Sequence, residues 1–275
     1  MNLSRKWLEE FVHVDASDKE FAEAMTLSGS KVELTHDLGE EISNVVVGKV
    51  LSMEHHPDSD HMWVCQIDVG REEPVQIVTG AWNVHIDDLV PVAMHKSTLP
   101  GGKKIEKGKL RGVVSNGMLC SGEELGLNED LYPGAGYNGL LVLPEDAEIG
   151  SDVKELTGLN DWIFDVSITA NRPDCQSIFG LAREVAAALG EPLKTPALDY
   201  TETEVEKEGF NVTVEAQDLC PRYIAHYVYD VKLGQSPAWM RRRLALVGNN
   251  SISNIVDITN YICLLYTSPS PRDGA

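Results

Sequence analysis

The sequence predicts an α+β protein in which a small β-barrel separates helical segments. Strand-like runs follow one another between residues 45 and 143, with turns rich in Gly, Pro, Asp and Asn between them. Capping residues precede two helical runs before that region, and a run of good helix formers closed by a glycine follows it. The 275 residues are 43% hydrophobic and 24% charged, which excludes a disordered or fibrous chain and suffices for two folded domains.

Two short helices and a strand are predicted at the N-terminus. The first helix covers Arg5–Phe11. The capping box Ser17–Glu20 opens a second helix over Asp18–Ser28, which Gly29 ends. Alternation over Lys31–Thr35 then predicts a strand.

Five strands are predicted for the barrel. Each is rich in apolar or β-branched residues and is bounded by turn formers, and glycines recur between the strands, as barrel corners and hairpins require. The predicted strands are Val45–Met53, Met62–Val69, Val75–Thr79, Val90–Met94 and Gly139–Leu143.

A helical patch, a strand and a longer helix are predicted after the barrel. The helical patch follows Gly150, and the strand covers Trp162–Thr169. A run of good helix formers over Ser177–Leu189 is closed by Gly190. The Glu-rich residues 195–209 are typical of a solvated linker.

The C-terminal part predicts a second αβ unit and then a tail. Strands are predicted at Asn211–Ala216 and Tyr223–Val231, with a helix around Pro237–Leu246. The residues Leu264–Ala275 contain two prolines and no periodicity. We therefore expect them to lie outside regular structure, either as a native tail or as a non-native one.

Charge and cysteine content narrow the function classes. The chain has 23 Lys and Arg against 43 Asp and Glu, a net charge of −20 that disfavours general binding to nucleic acid. No run reaches the about 18–20 apolar residues of a membrane-spanning helix, and no export signal precedes the first helix. Five cysteines without a close pair predict reduced thiols and no structural zinc. We expect a cytoplasmic protein with no membrane partner.

One segment has a positive net charge, opposite in sign to that of the whole chain. Residues 96–111 contain six Lys or Arg and one Glu, whereas residues 112–153 contain eight Asp or Glu and no cation. The segment is either a solvated hairpin or a phosphate-facing loop on the barrel. In the second case the RNA-binding residues are Lys96, Lys103, Lys104, Lys107, Lys109 and Arg111.

Other motifs do not predict a cofactor site or a catalytic centre. Gly134–Gly139 fits the spacing G-x-G-x-x-G but follows no strand and opens no helix, and Gly101–Lys104 lacks the remaining P-loop residues. His55–His61 holds three His and two Asp, so a metal site is possible, but a turn between two strands is favoured. No Ser/His/Asp or Cys/His grouping is evident, and we assign no catalytic residue and no metal ligand.

Five motifs of the barrel region share their order with one known domain. They are His56–Asp60, Val64–Gly70, Gln76–Val84, Leu99–Gly102 and Leu110–Gly126. Together they resemble the tRNA-binding OB domain of bacterial phenylalanyl-tRNA synthetase β subunits, methionyl-tRNA synthetases and stand-alone tRNA-binding proteins.

The flanking segments narrow this resemblance to the β subunits. The similar segments are Leu3–Glu33, Asp165–Ala187, Cys220–Tyr223 and Ile255–Tyr261, so that the resemblance covers about residues 1–262. The sequence departs from the family at Ala170, where Pro is common, at His61, near which a basic residue is common, and after Tyr261.

The resemblance implies a layout of several domains. A five-stranded OB-type barrel (41–150) would be inserted in a split α/β domain (1–40 with 151–195). An acidic linker (196–209) would lead to the start of an α+β editing-type B3/B4 domain (210–262), with a non-native tail at 263–275. The chain would then be an N-terminal fragment of a longer β subunit.

The resemblance also implies a function. Family members form an (αβ)₂ tetramer that attaches phenylalanine to its tRNA with ATP and magnesium, the activation site lying on the α subunit. This part of the β subunit would bind tRNA, hold no cofactor itself and carry no adenylation residue. Thr259 and Asn260 match the wall of the editing pocket, which would be incomplete here.

Two alternatives differ from this interpretation. A stand-alone OB protein, either tRNA-binding or related to secretion chaperones, would lack enzymatic activity and would consist of little more than the barrel. The barrel could also be only a spacer, in which case its removal from the full enzyme would leave aminoacylation unchanged.

Overall fold

A long run of strands between residues 31 and 119 separates the helical segments of the chain, as is typical of an α+β fold. A computed structural model describes residues 1–197, 199–201 and 211–266. The strands in these ranges are β1 (Asn2–Ser4), β2 (Lys31–Asp37), β3 (Ser43–His55), β4 (Trp63–Asp68), β5 (Val75–Thr79), β6 (Leu89–Leu99), β7 (Lys103–Ile105), β8 (Gly108–Leu110), β9 (Val113–Ser115), β10 (Gly117–Leu119) and β11 (Trp162–Ser167). The helices are α1 (Arg5–Leu8), α2 (Asp18–Leu27), α3 (Val153–Thr157), α4 (Ile178–Leu189), α5 (Ala238–Leu246) and α6 (Asn254–Tyr266).

A three-stranded antiparallel sheet joins distant parts of the chain in the order β1-β11-β2. Leu3 lies opposite Phe164 in its first ladder, and Trp162 lies opposite Asp37 in its second. The rings of Phe21 and Phe164, both fully buried, lie 4.6 Å apart between their centroids. Burial of side chains of this size stabilises the fold by about 1.5–3 kcal/mol each. The strands β3–β10 lie between β2 and β11 in the sequence, so this sheet closes across them.

The predicted helix ends are confirmed for α2 and α4. The Ser17 backbone N–H donates to Glu20 at 3.0 Å, and the Glu20 N–H donates to the Ser17 hydroxyl, which completes the capping box. The Ser177 hydroxyl accepts from the Gly180 N–H and so caps the start of α4, and Gly190 follows the helix at φ +73°.

The first helix is shorter than predicted. Instead of reaching Phe11, α1 ends at Leu8. The chain then turns, because Val12 forms an isolated β-bridge with Leu193, and the Phe11 carbonyl accepts from the Lys194 N–H at 2.7 Å. The prediction of Arg5–Phe11 was therefore wrong at its C-terminal end, where a contact distant in sequence outweighs local helix propensity.

The inserted region is a curled antiparallel sheet. Its strands pair in the order β10-β6-β3-β4-β5, with β7 added to β6, and β8 and β9 form a separate two-stranded ladder. The two ends of the curled sheet approach each other, because the Asn116 N–H donates to the Gln76 carbonyl at 2.9 Å. The predicted strands that begin at Val45, Met62, Val75 and Val90 correspond to β3–β6.

The fifth predicted barrel strand, Gly139–Leu143, is not a strand. Three of its apolar residues, Leu140, Leu141 and Leu143, are buried, whereas Val142 is exposed. However, the Leu141 N–H donates to Cys120 and the Leu143 N–H donates to Leu89, and single bonds to different partners do not make a ladder. The segment covers one face of the curled sheet, and β10 completes the sheet instead.

The two strands predicted at Asn211–Ala216 and Tyr223–Val231 are absent from the described residues. Both segments lie exposed, and no described strand pairs with them. An isolated strand leaves its backbone groups without partners, so sequence preference alone does not form one. The helix predicted around Pro237–Leu246 is confirmed as α5.

The C-terminal helix extends beyond the predicted end of regular structure. We expected Leu264 to begin an irregular tail, but α6 runs to Tyr266. Leu264 and Leu265 are 7% and 6% exposed and join the core of the first domain, which explains the correction. The rest of the predicted tail (267–275) and most of the predicted acidic linker (198 and 202–209) lie outside the described residues.

Three consecutive arginines of α5 attach the C-terminal helices to the rest of the protein. Arg241 donates to the Glu129 carbonyl at 2.9 Å, in the connection between β10 and α3. Arg242 donates to the carbonyls of Leu131 at 3.0 Å and Thr157 at 2.7 Å. Arg243 lies over the Trp7 ring, 5.5 Å from its centroid. No described helix combines the length and apolar character needed to cross a membrane.

Candidate nucleic-acid interface

The basic segment, residues 96–111, runs from the end of β6 through β7 to the end of β8. It begins at an irregularity between β3 and β6, where Lys96 has φ +67° and Asn44, on the opposite strand, has φ +56°. The Asn44 side-chain amide donates to the His95 carbonyl at 3.0 Å. The segment then turns at Pro100–Gly102 and adds β7 to β6. The register shift at Asn44 and Lys96 interrupts the regular β3–β6 ladder, and the basic segment bends away from that ladder there.

The six predicted cations are all exposed, but their surroundings differ. The Lys103 ammonium pairs with Glu124 at 2.9 Å, so part of its charge is neutralised. The Arg111 guanidinium donates to the Asp58 carbonyl at 3.0 Å, which leaves its other N–H groups available. Within the described ranges, no ion pair forms at the four remaining cations, Lys96, Lys104, Lys107 and Lys109.

A buried histidine contacts the end of the basic segment. His56 is 3% exposed, and its Nδ1 accepts the Asp58 N–H at 3.0 Å. The neutral ring must therefore carry its proton on Nε2, which donates to the Leu110 carbonyl at 3.0 Å. The His56-Pro-Asp turn was evident in the sequence, but the hydrogen bond from His56 to the Leu110 carbonyl was not.

The turn interpretation of His55–His61 agrees with this geometry. Both ring nitrogens of His56 make hydrogen bonds, so neither offers a lone pair to a metal. The His55 ring lies against Trp63, with centroids 3.9 Å apart. These contacts give the segment a structural role beside β8 (Gly108–Leu110), which we call the basic strand because it carries Lys109 and leads to Arg111.

A second histidine contacts the middle of the basic segment. Nδ1 of the exposed His95 accepts the Lys107 N–H at 3.0 Å. This bond joins the last part of β6 to the short connection between β7 and β8. Because the two residues are 12 positions apart, no local sequence pattern indicates this bond.

Some carboxylates of the acidic stretch after the basic segment (residues 112–153) pair with cations of the protein itself. Besides the Lys103–Glu124 pair, Asp130 lies 3.4 Å from the Arg241 guanidinium, and Glu129 lies 3.8 Å from it. Arg241 is only 5% exposed. These carboxylates therefore balance cations of the protein itself.

Among the described residues, one cluster has the side chains of a metal site: Asp174, Cys175 and Glu184. Arg172 donates to both carboxylates, at 2.9 Å to Asp174 and 2.6 Å to Glu184. These hydrogen bonds hold the pKa of Asp174 below its ordinary value, and burial raises the pKa of the Cys175 thiol to about 11. A protonated thiol and two carboxylates paired with arginine are poor metal ligands.

The predicted editing residues lie on α6. Thr259 is exposed, and its hydroxyl donates to the Ile255 carbonyl one turn earlier at 3.0 Å. Asn260 is half-buried on the same helix. Their role in an editing pocket remains a prediction.

Two known domain families match the chain. The family described as "Putative tRNA binding domain" matches residues 45–152, which contain the curled sheet and the basic segment. The B3/4 domain family matches residues 219–270, which contain α5 and α6. Among solved structures, the C-terminal domain of Plasmodium vivax p43 is similar at a TM-score of 0.29 and 23% identity, over 44% of this chain and 68% of that one.

Phenylalanine–tRNA ligase beta subunits are similar over almost the entire chain. The identity is 48% over 270 residues for Clostridium acetobutylicum and 47% for Clostridium tetani, in each case over 98% of this chain and 34% of the relative. The beta subunit of Syntrophus aciditrophicus is 41% identical over 98% of this chain and 33% of its own length.

The similarity extends well beyond the barrel, which favours the β-subunit interpretation over a stand-alone OB protein. The chain spans about a third of the length of these relatives. The tRNA-binding match is followed along the chain by the B3/4 match. This order and the sequence identity to the relatives together support the β-subunit interpretation. Over that third of their length, the chain is homologous to the phenylalanine–tRNA ligase beta subunits.

Proposed function

We propose that this chain binds tRNA through its basic segment, as part of a phenylalanine–tRNA ligase. The observation that supports this most directly is the group Lys104, Lys107 and Lys109, which is exposed and makes no ion pair within the described part of the chain. This group lies on the domain that matches the tRNA-binding family. Positive charge without an internal partner is what a phosphate backbone requires.

The net charge of the chain is consistent with this proposal. Phosphate affinity depends on the local potential, and residues 96–111 carry six cations against one anion. The acidic remainder repels RNA from other surfaces, which orients the complex and keeps binding weak. Lys96, Lys103 and Arg111 add to the same patch in the proposal.

Titration of the 275-residue chain with a phenylalanine-specific tRNA at several salt concentrations tests the proposal. Lys104→Glu combined with Lys109→Glu removes two of the proposed phosphate contacts. We expect weaker binding and a log–log salt slope that is smaller by about 1.4, since each contact on single-stranded RNA contributes about 0.7.

A second double variant controls for net charge. Lys19 and Lys194 are exposed residues outside the basic segment, and their replacement by Glu changes the total charge equally. We expect this variant to keep the parent salt slope. Equal effects of the two double variants would show that only overall charge matters and would refute the assigned contacts.

The remaining functional assignments follow from the family. We propose that the complete enzyme uses ATP and Mg²⁺ on an α subunit, that this part holds no cofactor, and that the assembly is a cytoplasmic (αβ)₂ tetramer. The domain limits are proposed as 1–40 with 151–195, 41–150, 196–209 and 210–262, followed by the tail. Thr259 and Asn260 are proposed to line an incomplete editing pocket. Co-purification with an α subunit tests the assembly, and a lone homodimer would oppose it.

A further inference from the structure

Two imidazole rings hold the backbone of the basic strand at both ends. His95 accepts from the Lys107 N–H, immediately before β8, and His56 donates to the carbonyl of Leu110, at its end. Between these two points lies Lys109, and Arg111 follows, itself bonded to the His56 turn through the Asp58 carbonyl.

Apart from the two histidine contacts, this strand is supported only on its β9 side in the described residues. The residues Gly108, Lys109 and Leu110 are all exposed, and β8 pairs only with β9, in a two-stranded ladder. β9 is in turn joined to β5, because the Gln76 side chain donates to the Val114 carbonyl at 2.8 Å and the Val78 N–H donates to the Ser115 hydroxyl at 3.0 Å. The histidine contacts reach the basic strand from the curled sheet and from the turn after β3, which are well packed.

We propose that His95 and His56 are positioning residues for RNA binding, which fix the basic strand so that Lys107, Lys109 and Arg111 meet the phosphates together. The proposal rests on the proposed function. Each ring contacts backbone atoms of the strand, so a neutral imidazole orders the cations without adding charge. Ordering before binding increases affinity, because the complex then loses less conformational freedom.

Substitution of His95 separates positioning from charge. At pH 8.5 imidazole side chains are neutral, so His95→Ala leaves the charge of the patch unchanged. We expect tRNA binding to weaken by about 3- to 10-fold, the effect of ordering one flexible side chain or short segment at an interface. We also expect a smaller salt slope, since fewer phosphates would be contacted at once.

His95→Asn provides the rescue. The amide oxygen of Asn is attached to Cγ, as Nδ1 of His is, and can accept the Lys107 N–H. We expect this variant to bind tRNA within about twofold of the parent and to recover its salt slope. If His95→Asn behaves like His95→Ala, the hydrogen bond to Lys107 does not position the strand.

The second anchor is tested by His56→Asn. This change keeps an acceptor for the Asp58 N–H but removes the donor to Leu110. Its thermal unfolding and near-UV circular dichroism report whether the barrel remains intact. Should this buried substitution unfold the barrel, the His95 pair of variants, at an exposed position, still decides the proposal.

The outcomes distinguish this inference from the function on which it rests. If the Lys104 and Lys109 double variant loses affinity and His95→Ala does not, the positioning role is refuted and the RNA contacts stand. If neither changes affinity, the proposed RNA contacts themselves are refuted. A loss in both, with recovery in His95→Asn, supports the proposal.

Discussion

Replacement of Asp257 by Asn tests how α6 is held in place. Asp257 is 0% exposed, and its carboxylate accepts from the hydroxyls of Ser236 and Ser251 and from the Ile252 N–H. Burial opposes its ionisation, but these hydrogen bonds outweigh burial and hold the pKa below its ordinary value. The charged side chain therefore joins α6 to the segments that precede it.

The expected cost is about 2–3 kcal/mol. Asn can keep an oxygen toward the Ile252 N–H, whereas its NH₂ group then faces the two serine hydroxyls. Two hydrogen bonds to a charged group, worth about 1.5–3 kcal/mol each, become neutral ones worth about 0.5–1.5 kcal/mol. For a chain of this size, the loss lowers the Tm by roughly 5–10 °C.

The measurement is urea unfolding of the parent and of Asp257→Asn, repeated over a range of pH. Because the folded-state pKa of Asp257 is lowered, its contribution is fully present above the unfolded pKa of about 3.9 and is lost as pH falls through the lower folded value. The difference between the two proteins should be constant near neutral pH and decline in acid.

Asp218→Asn, at an exposed position, removes the same charge without buried hydrogen bonds and should change the unfolding free energy little. A difference of less than about 0.5 kcal/mol for Asp257→Asn at neutral pH would contradict the reasoning. So would a difference that does not begin to decline as the pH falls below about 3.9, where the unfolded carboxyl takes up its proton.

Two further substitutions test other contacts. Arg242→Met keeps the aliphatic stem but removes the donors to the Leu131 and Thr157 carbonyls, and we expect a loss of about 2–4 kcal/mol in urea unfolding, against little change for the exposed Arg222→Met. Gly117→Ala would place Cβ 2.4 Å from the Ala93 carbonyl oxygen, so thermal unfolding should show a loss of about 1–3 kcal/mol. At Gly108, a new Cβ meets no atom closer than 4.0 Å, and Gly108→Ala should not be destabilising to that degree.

The sequence was sufficient to predict those elements whose structure depends on residues close together along the chain. The caps Ser17 and Ser177 act within three residues, and both predicted helix starts are confirmed. The alternation in β3–β6 reports burial on the curled sheet and located four strands. At Gly139–Leu143 the apolar composition predicted a strand, but the segment forms no ladder, because its N–H groups bond to different partners elsewhere in the chain.

In the candidate site, too, some features were visible in the sequence and others depend on contacts between distant residues. Charge is a property of composition, so the basic segment was visible in the sequence. The contact of His56 with Leu110 spans 54 residues, and no pattern of residue types indicates it. Likewise, the pairing of Lys103 with Glu124 depends on how the turn after β6 meets the segment after β10. Which cations remain unpaired could be learned only from the structure.

The central position of β11 in the first sheet affects the order of assembly during translation. Both β1 and β2 pair with β11 and not with each other, so neither has its partner until Ser167 has been synthesised. About 130 residues separate Asp37 from Ser167, which takes on the order of 10 s at bacterial synthesis rates. The strands of the curled sheet are contiguous in sequence and can pair earlier. A nascent chain therefore exposes Leu3, Trp7 and two strand edges beside a barrel that can already be folded, and a chaperone would find its binding site there.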